Sequence, residues 1–110
     1  MGASDEFTIT VSQRAGRAIV EVRGELDAAT GPTLSDAVSA LTRDGLAGVV
    51  INLDEVTFVD SKGLSALLDS HREATRRNMT LGVVNLQPAV AKLFRISGVD
   101  AVLLEDEVPT

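Results

Sequence analysis

Residues 50–64 read VINLDEVTFVDSKGL. With Val49 before it, Val50-Ile51-Asn52-Leu53 is a near-continuous apolar run, the pattern of a strand covered on both faces. From Leu64 the period changes: Leu64, Leu67, Leu68 and His71 recur at helical spacing. Asp60, Ser61, Lys62 and Gly63 stand at the junction. They are either a helix cap or residues placed there to be worked on.

The flanking sequence repeats this alternation of strand and helix. FTITV at 7–11 and AIVEV at 18–22 alternate with period two around the turn-like insert QRAGR, which predicts a β-hairpin. After GELD, Leu34, Ala37, Val38 and Leu41 mark one face of a helix, with Pro32 near its start and Gly45 beyond its end. Leu81 to Leu86 reads as a further buried strand. Val90, Leu93, Phe94 and Ser97 mark a helix opened by Pro88 and closed by Gly98. Ala101 to Leu104 reads as a last short strand. The expected architecture is a single α/β domain over residues 7–104, with polar tails at 1–6 and 105–110. Its central sheet is mostly parallel, with about five strands, an N-terminal antiparallel hairpin and about three to four helices. In such sheets ligand and partner sites gather where strand C-termini hand over to helices. VDSKGL at 59–64 and GELDAAT at 24–30 are two such handovers.

Composition narrows the function. The 110 residues suit one domain with a real core. A net charge of −6 argues against nucleic acid or an anionic membrane as partner. With 3% aromatics and neither Trp nor Tyr, stacking on bases or sugars is not an available strategy. No cysteine means no disulfide, thiol catalysis or cysteine metal site. The start MGASDEF does not read as a secretion signal, and no apolar run reaches the roughly 20 residues of a membrane span. A cytoplasmic protein is expected.

Catalysis is not expected. The only histidine, His71, lies ten residues beyond Ser61 on the same predicted helix. That separation is roughly 15 Å at helical rise, so Ser61 has no histidine base. Asp54, Glu55 and Asp60 would make at most a weak magnesium site, and acidic strand-end loops are common. Arg72, Arg76 and Arg77 read as a solvated cluster that suits the negative end of a helix. Ser61 itself supports two readings. Its hydroxyl can cap the helix, worth about 1 kcal/mol. The same free N–H groups and the positive end of the helix dipole also suit a phosphate. Gly63 would leave that first turn open to backbone approach.

GELDAAT at 24–30, VINLDEVTFVDSKGL at 50–64 and NLQPAVAKLFRISGVD at 85–100 together resemble the STAS domain family, and within it bacterial anti-sigma factor antagonists. The resemblance runs from about Phe7 to Leu104. It implies a regulatory binding protein of transcription, in stress response or sporulation, that works by partner switching. Unphosphorylated, it would bind an anti-sigma factor that is also a serine kinase and so release a sigma factor. Phosphorylation at Ser61 would end that binding, and a serine phosphatase would restore it. The resemblance also implies that Asp60 and Asp27 are the aspartates of the two motifs. The expected contact surface is Asp27, Thr30, Asp60, Ser61, Lys62, Gly63 and Ser65. No metal or cofactor of its own is implied; ATP would belong to the kinase, and the free chain would be a monomer. Two features depart from the family. Lys62 stands where Ser, Thr or Ala is common, and many relatives carry another helix after the last strand. Alternative readings are an accessory subunit of a membrane transport complex, a constitutive binding module that is never phosphorylated, and a weak binder of nucleotides or other anions.

Overall fold

The first two strands show why the chain doubles back where it does. In the computed structural model, which describes residues 6–104, β1 (Thr8–Arg14) and β2 (Arg17–Leu26) pair antiparallel. They are joined by Ala15 and Gly16, both at positive φ (56° and 77°). That pair of left-handed residues is the two-residue turn whose twist matches the strands it connects. Both strands run further into the predicted QRAGR turn than its composition suggests. The polar tails expected at 1–6 and 105–110 lie outside the described residues, Glu6 excepted.

The rest of the chain is α1 (Gly31–Leu41), β3 (Gly48–Val59), α2 (Ser61–Arg76), β4 (Thr80–Val84), α3 (Pro88–Ser97) and α4 (Asp100–Leu103). The sheet order is β1-β2-β3-β4, with β2, β3 and β4 mutually parallel. This is one α/β domain with a four-stranded mixed sheet. The fifth strand is a correction. Ala101 to Leu103 is helical, and only Leu104 bridges to Val83 in parallel. A four-residue apolar run does not distinguish strand from buried helix by periodicity alone. Here the Val99 carbonyl takes the N–H groups of Val102 and Leu103 (both 3.0 Å), which winds the segment.

One face of the sheet carries the main core. Val20 and Val22, Val49, Ile51 and Leu53, and Leu81 and Val83 alternate inward. Leu34 and Val38 of α1, Leu64 and Leu67 of α2, Val90 and Phe94 of α3 and Leu103 of α4 complete the same cluster. On the opposite face Ile19, Val50 and Val84 form a smaller buried group. The expectation that 49–53 is covered on both faces holds only in part: Val50 is buried among strand neighbours, Asn52 is half-buried, and the helices contribute to the first cluster alone. Gly98, at φ 73°, ends α3, and Val99 N–H returns to the Phe94 carbonyl (3.1 Å).

β3 is longer than its apolar run. It continues through Asp54 and Glu55 to Val59, and its register against β2 slips by one residue twice. Asn52 faces Glu21 while Glu55 faces Arg23; Val56 faces Gly24 while Phe58 faces Glu25. Each slip is a β-bulge, an extra residue that bends and twists the strand. Inward positions consequently fall at 49, 51, 53, 56 and 59.

Candidate functional site

A backbone hydrogen bond joins the two handover loops. Asp60 N–H donates to the Leu26 carbonyl at 3.2 Å, holding the start of α2 against the end of β2. All seven residues expected at the site (Asp27, Thr30, Asp60, Ser61, Lys62, Gly63 and Ser65) therefore belong to one end of the sheet.

Asp60, not Ser61, is the cap. Its backbone is extended (φ −102°, ψ −174°), and its carboxylate accepts the Gly63 N–H at 2.8 Å. Leu64 N–H donates to the Asp60 carbonyl (2.9 Å), closing the first helical turn. An aspartate there also stabilises the positive end of the helix dipole. Ser61 is the first helical residue. It is exposed, and its hydroxyl has no hydrogen-bond partner among the described residues. The reading of Ser61 as the helix cap is thus overturned: the side chain one residue earlier already fills that role.

Gly63 is also corrected. It is buried, not open to an approaching ligand. A Cβ built on it would run into the Leu26 carbonyl group and lie 3.1 Å from Leu26 Cγ. Glycine is needed because β2 itself passes that close. Gly31 plays a related part between the helices, since its Cβ would lie 3.2 Å from the Ala66 Cβ. Small residues thus bring α1 and α2 together at this end.

The GELD loop is tied by its own side chains. Asp27 Oδ1 accepts from the backbone N–H of Ala29 (3.0 Å) and Thr30 (3.1 Å) and from the Thr30 hydroxyl (3.2 Å). The Thr30 hydroxyl also lies 2.7 Å from the Glu25 carbonyl and accepts the Asp27 N–H (2.9 Å). Asp27 and Thr30 are accordingly scaffold for the loop, each half-buried. Asp27 nonetheless reaches the rim of a shallow groove between α1 and α2. That groove, about 390 Å³ in volume, is also lined by Pro32, Ser35, Lys62, Ser65 and Asp69. Lys62 is exposed and has no ion-pair partner among the described residues. It is the one cation of the groove lining, which also includes Asp27 and Asp69.

The other singled-out side chains lie along α2, at its C-terminal end and on β3. Arg72 pairs with Asp69 (2.7 Å), and Arg76 and Arg77 both reach Glu73 (2.8 and 3.5 Å). Arg76, and Arg77 after it, hold the Glu73 carboxyl below the usual carboxylate range. His71 is half-buried on the same helix. Asp54 and Glu55 are exposed on β3, where Glu55 pairs with Arg23 (3.3 Å). One residue escaped sequence reasoning: Phe58, an exposed aromatic three positions before Ser61. Its signal was the three-residue spacing of Val56 and Val59, which breaks the alternation.

Among the described residues no helix is long and apolar enough to cross a membrane. The model of the STAS domain matches residues 8–109. The anti-sigma-F factor antagonist RsfB of Mycobacterium tuberculosis is 30% identical over 100 residues, 91% of this chain and 81% of that protein. The anti-sigma-B factor antagonist of Staphylococcus aureus is 29% identical over 79 residues, 72% of this chain and 73% of that one. The crystal structure of an anti-sigma factor antagonist from Mycobacterium paratuberculosis superimposes with a TM-score of 0.83 at 30% identity, covering 98% of this chain and 92% of that chain. The tied handover loops, the capped helix start and these matches lead to one conclusion: the chain belongs to the STAS domain family.

Proposed function

We propose that this protein is a cytoplasmic anti-sigma factor antagonist. It binds an anti-sigma factor that is also a serine kinase, frees a sigma factor, and is switched off by phosphorylation of Ser61. A serine phosphatase resets it. It works as a binding module, with ATP held by the kinase.

The observation that carries the reading is the division of labour at the start of α2. Asp60 satisfies the Gly63 N–H, so the exposed Ser61 hydroxyl is free for transfer without loss of the cap. A phosphate would add about −1.5 to −2 charges next to Asp60 and near Asp27. Such a group obstructs a close-fitting partner surface and would have to lose its hydration to enter it. Lys62 is the one nearby cation able to offset that charge, and an exposed pair of this kind is worth only about 0–1 kcal/mol. The switch therefore survives with Lys62 in place of the Ser, Thr or Ala common in the family. Partner contacts fall to Asp60, Ser61, Lys62 and Ser65, with Asp27, Thr30 and Gly63 shaping the surface beneath them.

The test is calorimetry of the purified chain against each anti-sigma factor of its host, with and without ATP, followed by peptide mass mapping. One anti-sigma factor binds, ATP places a single phosphate on Ser61, and Ser61→Asp loses binding. Absence of binding to every anti-sigma factor, or phosphate on another residue with Ser61 untouched, would refute the reading.

A further inference from the structure

Three residues before Ser61 the chain carries an aromatic ring that the fold leaves half exposed. We infer that Phe58 is the apolar anchor of the partner interface, seated in an apolar pocket with a basic rim on the anti-sigma factor; this rests on the function proposed above.

The second bulge of β3 accounts for the exposure of Phe58. Val56 is fully buried. Simple alternation would then carry Phe58 into the core and leave Val59 outside. Thr57 is the extra residue between the Gly24–Val56 and Glu25–Phe58 pairs, and it reverses that outcome. Val59 is buried at 7% exposure, while Phe58 is 47% exposed. Bulges next to functional sites re-aim side chains in this way. Of the three phenylalanines in a chain without Trp or Tyr, Phe94 is fully buried and Phe7 is half-buried. Phe58 is thus the one exposed aromatic among the described residues.

Its position ties it to the switch. Phe58 lies opposite Glu25 in the β2–β3 register, and Asp60 two residues later bonds to Leu26, the neighbour of Glu25. The ring therefore emerges at the same end of the sheet as Ser61. The charges nearest in sequence and register are Glu25, Asp27 and Asp60, against the single cation Lys62; Arg23 is paired with Glu55. An apolar centre within an acidic surround calls for an apolar pocket with a basic rim. A buried aromatic within a polar rim is also the anatomy of a binding hot spot.

The test compares Phe58→Ser with Ile96→Ser, which removes the still more exposed Ile96 (74%) from the C-terminal end of α3. Both are titrated against whichever purified anti-sigma factor binds the wild type, and both are melted. Phe58→Ser weakens binding tenfold or more, chiefly through faster dissociation, with Tm within a few degrees of wild type. Ile96→Ser binds as wild type. If Phe58→Ser binds within twofold of wild type while Ser61→Asp abolishes binding, the anchor is wrong and the antagonist function stands. A large fall in Tm would make Phe58 a residue of the fold and also overturn the anchor. If no anti-sigma factor binds the wild type, the function fails and the anchor with it.

Discussion

Gly63→Ala inverts an ordinary rule. In a helix interior, alanine is more stable than glycine by about 0.5–1 kcal/mol. At residue 63 the new methyl group would occupy the space of the Leu26 carbonyl, and it would lie 2.7 Å from the carbonyl carbon. The obstacle is backbone, and that backbone is fixed by the Asp60 N–H bond to the same carbonyl. The methyl group fits only if β2 and α2 separate. Separation weakens the Asp60–Leu26 bond and disturbs the Asp60 cap on Gly63. Overpacking of this kind costs about 1–3 kcal/mol and loss of a cap about 1 kcal/mol, against a propensity gain below 1 kcal/mol. The net expectation is about 2–3 kcal/mol of destabilisation. For a domain of this size that lowers Tm by roughly 10–20 °C. Thermal melts by circular dichroism, checked by urea denaturation, measure it. A Tm equal to or above wild type would refute the reasoning, because relief of the contact would then have to be free.

Asp60→Ala and Ser61→Ala separate capping from modification: the first lowers stability by about 1 kcal/mol, while the second stays within about 0.5 kcal/mol of wild type in the same urea titration. Equal losses would mean that both side chains cap the helix. Ser70 is buried, and its hydroxyl has no partner among the described residues. Ser70→Ala should therefore leave Tm unchanged or raise it by a few degrees, since it removes an unsatisfied polar group; a clear drop in Tm would contradict this. Glu73 should titrate below a free glutamate, and Arg76→Ala should move its NMR-detected midpoint back up. Its carboxylate is the favoured form in the folded chain. Any stability from the pair is thus present at neutral pH and is lost as pH falls through the lowered midpoint.

Where pattern alone sufficed, the sequence was legible. The inward stripe of α1, the Pro88 start and Gly98 end of α3, and the hairpin all follow from local spacing and from residues with special backbone freedom. The two bulges of β3 were not legible. Asp54 and Glu55 interrupt its apolar run, and the inward positions change from steps of two to steps of three. Period-based reading therefore ends the strand at Leu53, six residues early. The cap was misread for another reason. Asp60 and Ser61 are both good capping residues, and only the extended backbone at Asp60 decides between them. Gly63 was legible as necessary but not as to cause, because the Leu26 carbonyl that demands it comes from a strand 37 positions earlier.

The loop tied by Asp27 and Thr30 has a kinetic meaning as well as a structural one. The Thr30 hydroxyl and the Asp27 carboxylate hold that corner through hydrogen bonds within residues 25–30, and the hydrogen bond from Asp60 N–H to the Leu26 carbonyl joins it to the start of α2. A surface held this way has little conformational freedom left to surrender when a partner docks. The encounter resembles two finished parts meeting, not a chain folding onto a template. Slow amide hydrogen exchange at Thr30 and Gly63 in the free protein would be its signature, and exchange at these two amides would change little when the partner arrives.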